Sequence, residues 1–572
     1  MTSASGRQKP PFVPLLPLVR PVRAAFVGAA VAALAILPGL GAGTLWDNSE
    51  TAYGEVAREI LLTHDWVIMH LNNVPYFVQP PLYFWLSAAF SLLFGGATPF
   101  ALRLPSALAT IALGGLTGYA VARQAGTRVG IYAAVVLSTC LMQAVIGRLA
   151  IMDALLDLAV AMTIFWWFRG LETGRDRYVI YGWIAAAAGF LAKGPVAPVV
   201  ALLTIVPFYF WNRRYEATHA PSPRAWLVGA LVFLAIAAPW PIALVAHYHF
   251  LPLEKLIGEY TIGRYTGVVE NQAGPVWYYL PVIILGFFPW IAFLPTAIAY
   301  GVRELRGNDG AQPQTARLLR LGFCWILVPL IFFSIARTKL PNYVALEFPA
   351  LALVTALYFE AVVRKGGMRS AVISAATVPV TIGALAFAIW LFTRNNRLTT
   401  EIAVALPGLL GMAVAIFAGS LLTALLFART RTLRAAPYAL ALAATIAADV
   451  LAVRVLPDAE AFKPVPRLAA LIERERRAGD AIAIQGVSGG NALLFYTQPV
   501  VHVLAPPNGS DPQTDGADPR AVICHSSRAW VIAPAIRPAY DPTYGRRRQV
   551  VAVDRKAALL LYDGPPCAGY GL

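Results

Sequence analysis

Charged residues are scarce in this sequence. Asp, Glu, Lys and Arg make up 13% of the 572 residues, whereas hydrophobic residues make up 58%. Mean hydropathy is correspondingly high, at +0.62. This scarcity of charge excludes an ordinary soluble enzyme. Together with the long apolar runs, it predicts a polytopic α-helical membrane protein.

Cysteine is also scarce, with four residues. Cys140 and Cys324 lie inside apolar runs and are interpreted as packing residues. Cys524 and Cys567 lie in the polar tail and would pair if that tail faces an oxidising compartment. No Cys/His spacing of the zinc type is present, and no metal ligands are assigned. There is no Gly-rich phosphate loop, so no soluble nucleotide sugar is expected as a substrate.

Basic residues exceed acidic ones, 46 to 30, which gives a net charge of +16. Their arrangement argues against a nucleic-acid partner, because most fall in short clusters between apolar runs. Membrane proteins keep such clusters on the cytoplasmic side. The clusters occupy residues 123–128, 169–177, 213–224, 303–320, 364–369 and 429–434.

Placing all of these clusters inside allows only one crossing between Gln79 and Arg123. The apolar segment 80–95 is therefore predicted to lie in the membrane interface. About 13 spans follow, with the N-terminus cytoplasmic and the C-terminus outside. The predicted spans are 24–43, 100–122, 129–147, 154–168, 178–192, 196–212, 226–246, 277–300, 318–336, 342–362, 371–392, 403–428 and 436–456.

Three regions result from this assignment. Residues 1–23 form a polar, proline-rich cytoplasmic tail, and 24–456 form the transmembrane domain with a first outer loop at 44–99. Residues 457–572 are predicted to form a soluble α/β domain outside the membrane. Its pattern predicts a polar helix from Arg467 to Ala478, a loop over 506–519, and short strands at 481–484, 500–503, 529–532 and 550–553.

The first outer loop opens with two carboxylates, Asp47 and Glu50. From Tyr53 the apolar positions recur at helical spacing, which predicts a helix lying along the membrane surface with its polar face up. Glu55 and Glu59 fall on that polar face. The loop is predicted to hold carboxylates over the mouth of a cavity. The alternative is that Asp47 and Glu50 merely form a capping pair for the surface helix.

Further ionisable residues reach the same predicted membrane face, where burying them is costly unless they serve a pathway or site. Cations beside carboxylates suit a phosphate-bearing substrate. Each residue also has a structural alternative, as a helix-start residue, a turn or a snorkelling interface anchor. The set comprises Arg148, Asp153, Lys193, Arg264, Lys339 and Tyr343.

Seven motifs, in this order over residues 44–362, resemble the GT-C membrane glycosyltransferases related to protein O-mannosyltransferases. They are most similar to the branch that contains the undecaprenyl-phosphate aminoarabinose:lipid A transferase. The motifs are YGEVARE, PYFVQPPLYFW, FALRLPSAL, GRLAIMDALLD, GFLAKGPVA, GPVWYYLPVIILGFFPW and KLPNYVALEFPALAL. The resemblance implies a donor sugar carried on a polyprenyl phosphate and presented on the periplasmic side of a bacterial inner membrane.

The resemblance also implies roles for individual residues. Aligning on YGEVARE puts Glu50 at the glutamate of the family's Asp-Glu pair and Ser49 at its aspartate, with Asp47 two residues earlier. Asp153 matches the second acidic position, so Asp47, Glu50 and Asp153 form the implied catalytic set. Gln79 stands where relatives near the aminoarabinose enzyme carry lysine. The positions that match those expected around the donor phosphate are Lys193, Arg264, Lys339 and Tyr343, and Arg148 is assigned to the same phosphate.

These expectations define an inverting glycosyltransferase that moves a sugar from a polyprenyl phosphate to a periplasmic acceptor, such as lipid A or another envelope glycan. No cofactor is assigned, and a divalent metal is left open. Two alternatives stand beside this function. A transporter or flippase of lipid-linked sugars would bind the phosphate without chemistry, and a scaffold would bind a partner through its outer domain.

Overall fold

The computed structural model describes residues 19–46, 49–216, 219–269, 272–307, 312–394, 400–497, 500–504, 517–535, 546–564 and 567. Asp47, residues 1–18 of the predicted tail and residues 506–516 of the predicted loop lie outside the described residues.

Among the described residues up to 253, the regular structure is helical apart from one hairpin, β1 (His70–Leu71) with β2 (Val74–Pro75). Its helices are α1 (Val19–Ile36), α2 (Glu50–Thr63), α3 (Leu82–Leu93), α4 (Pro99–Ala125), α5 (Thr127–Ser138), α6 (Leu141–Ile146), α7 (Asp153–Thr173), α8 (Asp176–Lys193), α9 (Val196–Asn212), α10 (Pro223–Ala237), α11 (Pro239–Tyr248) and α12 (Leu251–Leu253).

Helices continue to residue 462, with π-helical turns at Glu254–Gly263 and Leu451–Val455. The α-helices are α13 (Arg264–Thr266), α14 (Tyr279–Gly286), α15 (Leu294–Arg306), α16 (Pro313–Ile335), α17 (Phe348–Arg364), α18 (Arg369–Arg394), α19 (Thr400–Phe427), α20 (Ala436–Val450) and α21 (Leu456–Ala459). Short 3₁₀ turns lie at Val276–Tyr278, Trp290–Phe293, Pro341–Glu347 and Glu460–Phe462.

Six helices of the described residues are long and apolar enough to cross a membrane, or eight if each of two bent helix pairs counts as one span. Five shorter apolar helices accompany them. Each predicted span overlaps a helix, so the polytopic helical class is confirmed, while the number 13 stays a prediction. Close packing explains part of the architecture: a Cβ at Gly28 on α1 would collide with the carbonyl oxygen of Gly114 on α4. Small residues let membrane helices approach in this way.

Beyond residue 462 the described residues form a five-stranded sheet with three helices. The elements are α22 (Pro464–Glu475), β3 (Ala481–Ile484), α23 (Gly490–Thr497), β4 (Val501–Val503), α24 (Pro519–His525), β5 (Ala529–Pro534), β6 (Arg547–Asp554) and β7 (Ala557–Asp563). The strand order is β4-β3-β5-β7-β6. β3 is parallel to β4 and β5, whereas β7 is antiparallel to β5 and β6.

Four of these strands coincide with the predicted ones, and β7 was not predicted. In the register, Ile482 lies opposite Val501 on one side and Trp530 on the other. Cys524 and Cys567 form a disulfide. This agrees with the pairing expected of a tail in an oxidising compartment.

The structure corrects the prediction that the surface helix has a solvent-facing polar side. Helix α2 exists, but its polar face does not face solvent, because Glu55 and Glu59 are buried. The backbone N–H of Asn73 in the β1–β2 turn donates to Glu59, and Arg58 pairs with Glu55. Helix α23 of the C-terminal sheet also packs on α2. The amphipathic pattern predicted water on that side, where the fold places protein.

Candidate functional site

Glu50, the first residue of α2, is held by a buried ion pair with Arg103 of α4. Arg103 Nε and Nη2 each donate to one carboxylate oxygen of Glu50, both at 2.9 Å. The backbone N–H groups of Trp46 and Ala150 donate to the same carboxylate at 2.8 and 2.5 Å. Four donors occupy the four acceptor positions that a carboxylate offers. Glu50 is 1% exposed, so the pair ties the first loop to the bundle.

A second ion pair joins two helix ends. Asp153 begins α7 and Lys193 ends α8, and Lys193 Nζ lies 2.5 Å from Asp153 Oδ1. A carboxylate at a helix N-terminus and a cation at a C-terminus both match the helix dipoles. The two side chains are 5% and 13% exposed. The local sequences explain the geometry, because Gly194 with φ +69° ends α8 immediately after the lysine.

Arg264 reaches the same place from a distant part of the chain. Its Nη1 donates to the Tyr343 hydroxyl at 3.1 Å, and Lys193 Nζ lies 5.4 Å from the centre of the Tyr343 ring. The backbone beside Arg264 is fixed, because Thr338 N donates to Arg264 O and Arg337 N donates to Tyr265 O, both at 3.0 Å.

Two cavities meet at these residues. The smaller, of about 290 Å³, is lined largely by apolar and aromatic side chains that include Leu156, Leu256 and Phe332. The larger, of about 570 Å³, has a more polar wall that includes Glu50 and Arg103. Four residues line both cavities: Gln79, Asp153, Lys193 and Arg264. An apolar chamber ending at two cations suits an amphipathic anion such as a lipid phosphate.

Gln79 has no hydrogen-bond partner among the described residues, although it is only 8% exposed. Its carboxamide lines both cavities and carries donors and an acceptor. A bound polar ligand at the junction would satisfy it.

Known proteins are similar to this chain in sequence and in fold. The family described as dolichyl-phosphate-mannose-protein mannosyltransferase matches residues 78–242. An undecaprenyl phosphate-alpha-4-amino-4-deoxy-L-arabinose arabinosyl transferase of Erwinia tasmaniensis is 32% identical over 327 residues, covering 54% of this chain and 55% of the relative. The enzyme of the same description from Yersinia enterocolitica is 31% identical, covering 59% of each chain.

The predicted family resemblance is confirmed. The chain spans somewhat more than half the length of the curated relatives it matches. The crystal structure of ArnT from Cupriavidus metallidurans bound to undecaprenyl phosphate superposes with a TM-score of 0.75, covering 94% of this chain and 97% of that one. At 19% identity, this likeness shows that the two chains share a fold.

Two of the residues implied to bind the donor phosphate are engaged elsewhere. Lys339 lines neither cavity, because its Nζ donates to the carbonyl oxygens of Phe333, Ser334 and Ala336 at the end of α16. Arg148 lines the larger cavity, but it donates to carbonyl oxygens of the α1 region and lies 3.6 Å from Asp449.

The remaining predicted site residues differ in their position relative to the two cavities. Asp153, Lys193, Arg264 and Tyr343 come together at the junction. Glu50 lines the larger cavity, and Asp47 lies outside the described residues. Within the described part of the chain, no group of three His, Cys, Asp or Glu residues is arranged to hold a metal ion.

Arg103 and Glu460 were missed from the sequence, and both line the larger cavity. Arg103 carried a signal, since it is a lone arginine four residues into an apolar span, where such a charge normally has a partner. Glu460 carried none: its carboxylate accepts a hydrogen bond from the Thr44 hydroxyl at 2.6 Å across 416 residues of sequence.

Proposed function

We propose that this chain is an inverting membrane glycosyltransferase that moves a sugar from a polyprenyl phosphate to an acceptor such as lipid A or another envelope glycan. One observation carries the proposal: Asp153, Lys193, Arg264 and Tyr343 meet where an apolar cavity joins a more polar one. The polyprenyl chain would occupy the apolar cavity, its phosphate the junction, and the acceptor the polar cavity.

In the proposed reaction, an acceptor oxygen attacks the anomeric carbon of the donor from the face opposite the phosphate. The bond between that carbon and the phosphate oxygen breaks, and the polyprenyl phosphate leaves with the electron pair. Negative charge grows on the leaving phosphate in the transition state. Lys193 and Arg264, held in place beforehand by Asp153 and Tyr343, would stabilise that charge and so lower the barrier.

The acceptor proton needs a base, and the two first-loop carboxylates are proposed to have different roles. The four donors on Glu50 favour a positioning role for it. Asp47 directly follows the cavity-lining Trp46 in sequence and is the proposed base. Lys339 and Arg148 are proposed to fix the backbone around the site.

Gln79 is proposed to contact the transferred sugar, since a neutral carboxamide at the junction can both donate to and accept from hydroxyl groups. The relatives' names identify 4-amino-4-deoxy-L-arabinose as the sugar they transfer, so its undecaprenyl phosphate is the first donor to test. Gln79→Ala should raise the KM of the accepted donor about tenfold, equivalent to about 1.4 kcal/mol of lost contact.

The membrane arrangement is part of the proposal. The transmembrane domain would comprise residues 24–456 with about 13 spans, and residues 457–572 would form a periplasmic α/β domain. Two observations support this orientation. The disulfide suits an oxidising compartment. The C-terminal sheet and the candidate site also share one end of the bundle, because Tyr496 and Glu460 both contact the Thr44–Leu45 segment.

The test uses the full-length protein, purified and reconstituted in lipid nanodiscs with a polyprenyl-phosphate sugar and lipid A. Mass spectrometry should detect both a glycosylated acceptor and free polyprenyl phosphate. Asp47→Asn and Arg264→Met should abolish or strongly slow both products. Arg476→Met is the matched control, because that arginine forms a partly exposed ion pair with Glu473, away from both cavities. The protein is also reconstituted in liposomes. If it moves the donor across the liposome bilayer with the sugar intact and forms no product, a flippase would be favoured.

A further inference from the structure

The segment Thr44 to Trp46 is held by contacts on two sides. On the side of the helical bundle, the Thr44 carbonyl accepts from Arg103 at 3.0 Å, and the Trp46 N–H donates to Glu50 at 2.8 Å. Thr44 and Trp46 also line the larger cavity. This segment therefore forms part of the cavity wall and leads directly to Asp47.

The other side is supplied by the chain that enters the C-terminal sheet. Lys463 Nζ donates to the Thr44 carbonyl at 3.2 Å and to Glu460 at 2.7 Å. The same ammonium lies 3.8 Å from the centre of the Trp46 ring. The backbone N–H of Leu45 donates to the Tyr496 hydroxyl at 2.8 Å. Every residue of the three-residue segment is thus contacted from the C-terminal part of the chain.

The chemistry of Lys463 is suited to holding this segment. A largely desolvated ammonium over an indole face is among the stronger cation–π arrangements. The lysine side chain is 13% exposed. Burial lowers the pKa of Lys463, while the ion pair with Glu460 opposes that shift and favours the charged form. Glu460 balances its charge, so the intact pair adds no net charge to the cavity wall.

We propose that Lys463 is a positioning residue of the transfer site: it fixes the 44–46 segment, which lines the larger cavity and whose Trp46 N–H donates to Glu50. The C-terminal unit would thereby contribute a residue that positions the site. This inference rests on the proposed transferase function. It predicts that losing the Lys463 contacts slows turnover while leaving donor binding in the other cavity intact.

A second contact between the first loop and the C-terminal unit provides the matched control. Asn72, in the β1–β2 turn, donates to Val501 O at 2.9 Å and accepts from Val501 N at 3.1 Å, which joins the first loop to the edge strand β4. This contact also docks the C-terminal unit but does not touch the 44–46 segment. Asn72→Ala therefore separates general docking from the local action of Lys463.

The experiment compares wild type, Lys463→Met, Lys463→Arg and Asn72→Ala in the nanodisc transfer assay. Lys463→Met should lower kcat about tenfold or more, with the KM of the donor within about twofold. Lys463→Arg keeps the charge and should recover part of the loss. Asn72→Ala should keep kcat within about twofold of wild type. Equal kcat in Lys463→Met and wild type would overturn the inference, as would an equal loss in Asn72→Ala.

Hydrogen exchange gives a readout that needs no activity. The amides of Leu45 and Trp46 are both hydrogen-bonded, so a peptide spanning 44–46 should exchange slowly in wild type. Lys463→Met should speed exchange in that peptide more than Asn72→Ala does. Unchanged exchange would refute the proposal that Lys463 fixes the 44–46 segment, even if the wild-type protein transfers sugar. A wild-type protein that transfers no sugar from any donor would instead refute the proposed function, and the inference with it.

Discussion

Removing the Arg103 side chain is the sharpest structural perturbation of the candidate site. Its guanidinium makes five hydrogen bonds: two to Glu50, and one each to the carbonyl oxygens of Leu40, Ala42 and Thr44. Arg103→Met keeps much of the side chain's length but leaves Glu50 buried with only two backbone donors. Breaking a buried pair in this way costs about 3–5 kcal/mol, because one charge is left uncompensated.

The measurement is the apparent melting temperature of the detergent-purified protein. One kcal/mol corresponds to about 2–4 °C in chains of 150–250 residues and to less in longer ones, so we expect a fall of roughly 5 °C. Arg476→Met should change it little, because exposed ion pairs contribute about 0–1 kcal/mol. Adding Glu50→Gln to Arg103→Met removes the stranded charge and should restore part of the loss. A double variant that melts lower by the sum of the two single losses would refute this reasoning.

Three further outcomes follow from the structure. Arg264→Met should lower kcat about tenfold or more and also raise the KM of the donor, with little change in melting temperature; an unchanged kcat/KM measured by steady-state kinetics would contradict a phosphate contact. Lys339→Met should lower the melting temperature through loss of three carbonyl contacts while donor KM stays unchanged; a raised KM would restore the phosphate role implied by the sequence. Burial raises the pKa of Glu55 from 4.5 to about 7, against the opposing effect of Arg58. The stability this contributes is full below pH 4.5 and is lost as pH rises through about 7, so a Glu55→Gln variant should show a flatter melting-temperature profile from pH 5 to 8. Parallel profiles would contradict that assignment.

Much of the fold was predictable because it depends on local patterns. Apolar runs correspond to helices throughout the bundle, and four short segments rich in apolar residues correspond to β3, β4, β5 and β6. The strand β7 escaped prediction although Ala557–Asp563 is almost entirely apolar. A short continuous apolar run fits a buried strand or a buried helix segment, and periodicity alone does not distinguish the two.

The candidate site was predictable where topology and family resemblance acted together. Asp153, Lys193, Arg264 and Tyr343 come from four distant positions, and placing each on one membrane face was enough to bring them together. Lys339 met the same criteria but turns toward the carbonyl oxygens at the end of α16. Side-chain direction at a helix end depends on local backbone geometry, which the spacing of residues does not encode.

The contacts from the C-terminal unit were beyond the reach of sequence patterns. An amphipathic pattern on α2 predicts which face is polar, but not that another part of the chain will cover Glu55 and Glu59. The Thr44–Glu460 hydrogen bond likewise joins residues with no shared motif. Such long-range pairs are fixed by the docking of two folded units.

The most direct test of the account is an experimental structure of this protein with bound polyprenyl phosphate. We expect the isoprenoid chain in the cavity lined by Leu156, Leu256 and Phe332. The phosphate oxygens should lie about 3 Å from Lys193 Nζ and the Arg264 guanidinium. A phosphate bound instead beside Lys339, or a lipid chain that leaves the apolar cavity empty, would contradict the central claim.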